Sequence, residues 1–154
     1  MKTLIMLTAI PASGKSTWAK KYQETHPNTM IVSSDAIRYE VTGSFNDHSQ
    51  QPLVWETFDK RIHEYAKIDD VTVILDALND TNWVRLKYLT STPEFDKKIL
   101  VKLPFNIDQS QKFNGMRDTD VRVPDEALKQ LIEKFEQPSK EVLDLVDEVI
   151  EVKW

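Results

Sequence analysis

The sequence predicts an α/β fold in which about five parallel strands form one sheet with helices on both faces. Short apolar runs alternate with longer segments of helical periodicity along the whole chain, which is the pattern of a parallel sheet. An aspartate lies at or just after the end of two of these runs, where parallel strands place ligand-binding residues. With no internal repeat or linker, residues 1–154 are predicted to form a single domain.

Two strand–helix units are predicted in the N-terminal part. Residues 2–8 form an apolar run with only small or terminal polar interruptions, which favours a central strand buried on both faces. The helix predicted over 15–24 has apolar residues at spacings of three and four, and His26-Pro27-Asn28 ends it. Residues 30–32 are predicted as the second strand, and helical character resumes over 36–41.

The middle of the chain predicts a loop, a helix, a strand and another helix. Residues 43–51 are polar and turn-rich, and residues 52–67 carry apolar side chains at helical spacing. The β-branched run 71–76 predicts a strand that ends in an aspartate. The helix that follows is expected to bury three apolar residues, namely Trp83, Leu86 and Leu89. Trp18 and Trp55 are likewise expected to pack in the core.

The C-terminal part predicts two more strands and a polar segment between them. Alternating apolar residues indicate a strand over 99–103. Residues 108–123 are polar and carry several basic side chains, so we expect a mobile lid there. An amphipathic helix with Pro124 in its first turn follows. The last predicted elements are a short helix over 139–147 and a strand over 148–152.

A phosphate-binding loop is predicted between the first strand and the first helix, over Ala9-Ile10-Pro11-Ala12-Ser13-Gly14-Lys15-Ser16-Thr17. Backbone N–H groups and the helix N-terminus would cradle phosphate oxygens, the Lys15 ammonium would reach the outer phosphates, and the Ser16 hydroxyl would ligate Mg²⁺. The residues assigned to ATP are Ala12, Ser13, Gly14, Lys15, Ser16 and Thr17. The fold is therefore expected to be a P-loop NTPase three-layer sandwich, the alternative being an ordinary helix N-terminus.

The loop departs from the usual pattern G-x-x-x-x-G-K-[ST], because Ala9 replaces the first glycine and Ala12 is a second alanine. Alanine fits such a loop where φ is negative. Gly14 is expected where a Cβ would clash with backbone or phosphate.

Asp35 and Arg38 follow the second strand and are three residues apart, so they would share one helix face near the γ-phosphate. An aspartate there can accept the proton of an acceptor hydroxyl, and an arginine can bind an acceptor phosphate. The alternative is a surface ion pair at a helix N-terminus.

Asp76 ends the third strand, where a buried carboxylate is costly unless it faces Mg²⁺, its water shell or the loop hydroxyl. Ser16 and Asp76 are thus the predicted metal residues, unless Asp76 is an exposed strand end. Arg117 and Arg122 of the lid could bring positive charge when the site closes, Arg117 to the transferring phosphoryl group and Arg122 to the nucleotide. The alternative is that both are solvated.

Composition narrows the class of partners. The net charge of −5 disfavours non-specific coating of long nucleic acids, but allows a strand end or a small nucleotide in a locally basic pocket. The chain has no cysteine, no apolar run long enough for a membrane span and no secretory signal before the loop. We therefore expect a cytoplasmic protein that does not insert in membranes.

Six stretches carry a resemblance to a known family. They are Pro11-Ala12-Ser13-Gly14-Lys15-Ser16-Thr17-Trp18-Ala19, Ser34-Asp35-Ala36-Ile37-Arg38, Val73-Ile74-Leu75-Asp76 with Asn79 and Arg85, Asn114-Gly115-Met116-Arg117, Val123-Pro124, and Phe135-Glu136-Gln137-Pro138. Together they resemble the P-loop kinases of the bacteriophage polynucleotide 5′-hydroxyl kinase type. The resemblance covers nearly the whole chain and corresponds to the kinase domain alone, without a phosphatase domain.

The resemblance implies that Asp35 is the general base for the acceptor 5′-hydroxyl and that Arg38 holds the acceptor phosphate. It also assigns Asn79 to the acceptor and Arg117 to the transferring phosphoryl group. Phe113 stands where relatives often carry a lid arginine.

The predicted function is an ATP- and Mg²⁺-dependent kinase that transfers the γ-phosphate to a hydroxyl, foremost the 5′-hydroxyl of a polynucleotide or oligonucleotide. One alternative is a kinase for a nucleotide, a modified nucleoside or another small molecule. A further alternative is an NTPase switch without a phosphoryl acceptor. The sequence leaves the oligomeric state open.

Overall fold

The computed structural model describes residues 1–154, and a five-stranded sheet with all strands parallel lies at its centre. The strands are β1 (Thr3–Thr8), β2 (Thr29–Ser33), β3 (Thr72–Asp76), β4 (Lys97–Lys102) and β5 (Glu148–Glu151). Their order across the sheet is β2-β3-β1-β4-β5, so β1 is central and β2 and β5 are the edges. The predicted parallel sheet is confirmed.

Seven helices surround the sheet: α1 (Lys15–Thr25), α2 (Ser34–Thr42), α3 (Gln51–Tyr65), α4 (Asn82–Thr90), α5 (Ile107–Gly115), α6 (Asp125–Lys134) and α7 (Lys140–Leu145). The apolar side chains of β1 alternate between the two faces, as the pleat requires. Leu4 and Met6 belong to the larger core, which α2, α3, α4 and α7 also line. Ile5 and Leu7 belong to a second core beneath α1. Helices on both faces are therefore confirmed.

The prediction that α4 buries Trp83 is wrong, because this side chain is 73% exposed. The buried residues of α4 are Arg85, Tyr88 and Leu89. Residues at this i, i+3, i+4 spacing share one helix face, so an arginine occupies the inward position that we assigned to an apolar residue. Trp18 and Trp55 are partly buried against the two cores, as expected.

The predicted lid has more regular structure than its polar composition indicated. Residues 108–115 all belong to α5, and only the turn over 116–123 lacks helix. Pro124 directly precedes α6 instead of lying in its first turn.

The carboxyl ends of β1, β2 and β3 lie at the same edge of the sheet. In the β2–β3 register Ser33 is opposite Asp76, so the segment that carries Asp35 emerges beside Asp76. β3 is also paired with β1, which leads directly into the predicted phosphate loop. No helix combines the length and the hydrophobicity that a membrane crossing requires.

Candidate active site

The loop between β1 and α1 has the backbone geometry of an anion cradle. Gly14 has a φ of 91° and caps α1, whose N-terminus has no side-chain cap. The first N–H groups of α1 are therefore available to a ligand, and the helix dipole favours a negative one. Ala12 also adopts a left-handed conformation, with a φ of 57°, so the expectation of a negative φ at this alanine is wrong. Such strain persists only where the surroundings hold it, which is common in ligand-binding loops.

Two side chains from distant parts of the chain hold the outside of this loop. The Ser110 hydroxyl of α5, itself buried, donates a hydrogen bond to the Pro11 carbonyl at 2.5 Å. The Trp154 indole Nε1 donates to the Ser13 carbonyl at 2.9 Å. A Cβ added at Gly14 would lie 2.8 Å from the Trp154 ring, so the indole packs against the loop where only glycine fits.

Lys15 is buried between two aspartates. Its Nζ lies 3.2 Å from Asp76 Oδ1 and 3.5 Å from Asp35 Oδ2. Burial alone would lower the pKa of Lys15, but the two carboxylates outweigh that effect and raise the pKa above its ordinary value. The ammonium is thus fully charged at neutral pH and lies between the ends of β1, β2 and β3.

Ser16 and Asp76 form the predicted metal pair in space. The Ser16 hydroxyl donates to Asp76 Oδ2 at 2.9 Å, and the Asp76 side chain is 4% exposed. Asp76 Oδ1 accepts no aligned hydrogen bond although Lys15 lies near it. A hydroxyl beside a carboxylate with spare acceptor capacity suits Mg²⁺, which prefers oxygen ligands and takes only one or two from the protein in nucleotide sites. No cluster of three or more acidic or histidine side chains is present to hold a metal alone.

Asp35 and Arg38 are paired at the start of α2. Ser33 caps this helix by accepting a hydrogen bond from the Ala36 N–H, which places Asp35 in the first turn. Arg38 Nη1 donates to Asp35 Oδ1 at 2.7 Å, and Arg38 Nε donates to Gln51 Oε1 at 3.2 Å. Arg38 is buried, whereas the Asp35 side chain is 52% exposed.

The two cations fix the charge of Asp35. Partial removal from water would raise the pKa of its carboxyl, but Lys15 and Arg38 together lower it below its ordinary value. Asp35 therefore stays ionised at neutral pH. Its two oxygens face different partners, since Oδ2 is near Lys15 and Oδ1 is bound by Arg38.

The two predicted lid arginines have different positions. Arg117 is partly buried and close enough to Lys15 to oppose the rise of the lysine pKa. Arg122 instead donates from Nη2 to the carbonyls of Gly115 and Arg117, at 2.9 and 2.8 Å. The Arg122 guanidinium thus holds the shape of the turn over 116–123 instead of facing the phosphate loop.

Asn79 lies in the interior, not at the Lys15 cleft. It is 4% exposed, has a φ of 44°, and donates from Nδ2 to the Leu7 carbonyl at 2.7 Å. The backbone carbonyl of Asn79 accepts hydrogen bonds from the Thr8 hydroxyl and from Arg85 Nε. The acceptor contact assigned to Asn79 stays a prediction, and the burial of its side chain does not favour it.

Arg85 is fully buried and received no role from the sequence. Its guanidinium donates to the Thr8 hydroxyl, to the carbonyls of Asn79 and Glu136, and to Asn82 Oδ1. Burial lowers the pKa of Arg85 to about 10 although acidic side chains lie nearby. The side chain links β1, the loop before α4 and the segment after α6, so it supports the edge of the sheet from which the site is built.

This combination of a parallel sheet, a phosphate loop after the central strand and an aspartate at the end of the neighbouring strand defines a P-loop protein of kinase-like architecture. The chain belongs to the KTI12 family: the family model for chromatin associated protein KTI12 matches residues 2–143.

Individual relatives and solved structures are consistent with this fold. The chain is 28% identical over 158 residues to the L-seryl-tRNA(Sec) kinase of Methanococcus maripaludis. The aligned region covers 94% of this chain but only 57% of that kinase. The structure of Chaetomium thermophilum Kti12 in complex with ADP-AlF3 superposes with a TM-score of 0.72 at 15% identity, covering 98% of this chain and 89% of that one. A fungal RNA kinase gives a TM-score of 0.67 at 18% identity, covering 99% and 75%. The chain thus spans little more than half the length of its archaeal relative.

Proposed function

We propose that this chain is an ATP- and Mg²⁺-dependent kinase that transfers the γ-phosphate to the 5′-hydroxyl of an oligonucleotide or polynucleotide. The position of Asp35 carries the proposal. One of its oxygens faces Lys15 of the phosphate loop and the other is bound by Arg38. The carboxylate therefore lies between the residue that would bind ATP and the residue that would bind the acceptor. An NTPase switch needs a group that positions water, but it needs no such arginine.

The phosphate loop would bind the triphosphate of ATP. The N–H groups of residues 12–17 would donate to phosphate oxygens, and Lys15 would exchange its contacts with Asp35 and Asp76 for the outer phosphates. This exchange frees the Asp35 carboxylate near the point where the γ-phosphate arrives. Nucleotide binding and activation of the base are thereby coupled through one lysine.

Ser16 and Asp76 would hold Mg²⁺ with the nucleotide, because their hydroxyl and carboxylate oxygens match its preference. When bound, the metal neutralises charge on the β- and γ-phosphate oxygens. The protein contributes the fixed orientation of Asp76, whose second oxygen has acceptor capacity to spare.

In the transfer step the acceptor oxygen attacks the γ-phosphorus. A new P–O bond forms, the bond to the β–γ bridging oxygen breaks, and ADP leaves. The proton of the hydroxyl goes to Asp35 and then to water. Since Lys15 and Arg38 lower the pKa of Asp35, the base is ionised and weak, which suits a loose transition state that loses its proton late.

Arg117 would stabilise the charge of the transferring phosphoryl group, since it lies near Lys15 on the lid. Arg38 would bind a phosphate of the acceptor. Its Nη2 makes no hydrogen bond within the chain, so one arm of the guanidinium is available while the other arm holds Asp35. We leave Asn79 and Arg122 out of the proposed site, because Asn79 is buried with its Nδ2 bound to the Leu7 carbonyl and Arg122 Nη2 is bound to carbonyls of the lid turn.

A smaller acceptor, such as a nucleotide or a modified nucleoside, is the second candidate. The net charge of −5 favours it, because long nucleic acids are attracted by basic surfaces. The bacteriophage type of kinase and a cytoplasmic location stay predictions, since the family found is that of KTI12.

The test is a transfer assay with γ-labelled ATP and Mg²⁺, in which 5′-hydroxyl oligonucleotides, 3′-nucleotides and nucleoside monophosphates are offered in parallel. Label on the oligonucleotide supports the proposal, and label on the mononucleotides alone supports the smaller acceptor. Label found only as free phosphate would contradict both kinases and favour an NTPase. A Lys15→Met variant serves as the control for contaminating kinases.

A further inference from the structure

The exposed Tyr39, four residues after Asp35 on α2, stacks on the half-buried Phe45. Tyr39 belongs to α2 and Phe45 to the loop between α2 and α3. Their ring centroids are 4.7 Å apart and their planes differ by 27°, so the rings are stacked. Tyr39 is 50% exposed, and its hydroxyl makes no hydrogen bond within the chain. About half of the Tyr39 side chain is therefore open to a ligand, and the half-buried Phe45 supports its ring.

The position of Tyr39 on α2 directs it toward the acceptor side of the site. Tyr39 follows Asp35 by four residues, so the two side chains lie one above the other on the same helix face. Helical side chains also point back toward the N-terminus, which brings the Tyr39 ring nearer to Asp35. Glu40 lies on another face and pairs with Arg61 of α3.

The loop that carries Phe45 is held in place on both sides of that residue, at Ser44 and at Asn46. The Thr42 hydroxyl donates to the Ser44 carbonyl and accepts from the Ser44 N–H, at 2.8 and 3.1 Å. Asn46 donates from its side chain to the Asp120 carbonyl of the lid turn at 2.7 Å. The loop therefore contacts the lid turn, in which Arg117 lies three residues before Asp120. Phe45 lies next to that contact.

We propose that Tyr39 and Phe45 are the binding platform for the acceptor's nucleobase. The inference rests on the proposed function and names a further subsite of the same site. A base has a flat π face that stacks on an exposed aromatic ring whatever its sequence identity. A sugar acid or a polyol has no such face, so the platform selects nucleoside acceptors over other small hydroxyl compounds. Arg38 would bind the acceptor phosphate while the aromatic pair holds the base, which leaves the hydroxyl directed to Asp35.

The discriminating experiment compares two acceptors in wild-type protein and in Tyr39→Leu. One acceptor is a short oligonucleotide with a 5′-hydroxyl, and the other is identical except that its 5′ nucleotide lacks the base. Leucine keeps apolar packing on Phe45 but removes the π face. With the base-bearing acceptor, Tyr39→Leu should raise KM by about 5- to 150-fold at similar kcat, because stacking contributes to binding on that scale. With the abasic acceptor, the variant should equal wild type.

Matched variants separate stacking from a general effect on the fold. Tyr39→Phe keeps the ring and should restore the wild-type KM. Phe105→Leu is the matched control, because Phe105 is another exposed aromatic residue and pairs with Phe135. Phe105 follows β4, which lies on the opposite side of the central strand from β2 and α2. Phe105→Leu should leave both acceptors unaffected.

Two results would overturn the inference while leaving the proposed function standing. The first is equal use of both acceptors by the wild-type protein. The second is a loss of transfer by the same factor for both acceptors in Tyr39→Leu, which would make Tyr39 a packing residue only. Absence of transfer to any acceptor would instead contradict the proposed function. In that case the affinities of wild type and Tyr39→Leu for the two oligonucleotides, measured without ATP, still test the inference. If wild type and Tyr39→Leu bind the base-bearing oligonucleotide with equal affinity, the inference is overturned.

Discussion

Replacing Arg38 by lysine is expected to impair phosphate-bearing acceptors selectively. The Arg38 guanidinium binds Asp35 from Nη1 and Gln51 from Nε, with Nη2 left for an acceptor phosphate. Lysine keeps the charge but lacks the planar fork of separately directed N–H groups, so it cannot reproduce the contacts to Asp35 and Gln51 while a third arm binds a phosphate. One charge-assisted hydrogen bond contributes about 1.5–3 kcal/mol, which corresponds to about a 10- to 150-fold loss.

The assay measures kcat/KM with saturating ATP for a 3′-phosphorylated nucleoside and for the same nucleoside without phosphate. Arg38→Lys should lose the stated factor with the first acceptor and almost nothing with the second. Arg61→Lys is the matched control, because Arg61 makes an exposed ion pair with Glu40 on the same pair of helices. Equal losses with both acceptors would refute the assignment of Arg38 to the acceptor phosphate.

Three further variants test the loop, the support of the sheet edge and the metal site. Gly14→Ala should weaken ATP binding about 5- to 30-fold in a titration, because a left-handed alanine costs about 1–2 kcal/mol and its Cβ meets the Trp154 ring. Arg85→Met should lower the free energy of unfolding by about 3–5 kcal/mol in urea, because it leaves several buried acceptors unpaired. Asp76→Asn should keep the Ser16 contact yet raise the Mg²⁺ concentration for half-maximal transfer by about 10- to 100-fold.

Each of these three variants has an outcome that contradicts its reasoning. Adding Trp154→Ala to Gly14→Ala should recover only part of the ATP affinity, because the backbone strain at residue 14 persists. Full recovery would show that the left-handed backbone at this position has no measurable cost. An unchanged urea midpoint in Arg85→Met would mean that water replaces the guanidinium. An unchanged Mg²⁺ requirement in Asp76→Asn would exclude Asp76 from the metal site.

The fold and the centre of the site follow from local patterns. Strand and helix periodicities place the phosphate loop after β1 and Asp76 at the end of β3, and the parallel pairing brings the carboxyl ends of β1, β2 and β3 together. The three-residue spacing of Asp35 and Arg38 predicts the contact that forms on α2. These features depend on residues that are near in sequence or at the ends of paired strands.

The features that were missed depend on contacts between distant residues. Trp154 reaches Ser13 across 141 positions, and no pattern in either segment indicates that contact. Ser110 likewise bonds the Pro11 carbonyl across 99 positions, so α5 is docked on the loop where we expected a mobile segment.

Hydrophobic periodicity failed at α4 for a related reason. It counts apolar side chains, whereas the inward position belongs to Arg85, an arginine whose burial is stabilised by hydrogen bonds to the Asn79 and Glu136 carbonyls. Trp83 is consequently exposed. The same network buries Asn79, which sequence similarity had assigned to the acceptor. Such networks become predictable only once the tertiary partners are known.

The general-base assignment of Asp35 is the central claim, and Asp35→Asn tests it most directly. Asparagine keeps the size of the side chain and can still accept from Arg38, but it cannot take a proton. In a single-turnover transfer assay the rate should fall by about 10²-fold or more, while ATP affinity stays within about threefold of wild type. Glu40→Gln, on another face of α2, should transfer at the wild-type rate. A near-normal rate in Asp35→Asn would reduce Asp35 to a helix-end ion pair and contradict the account.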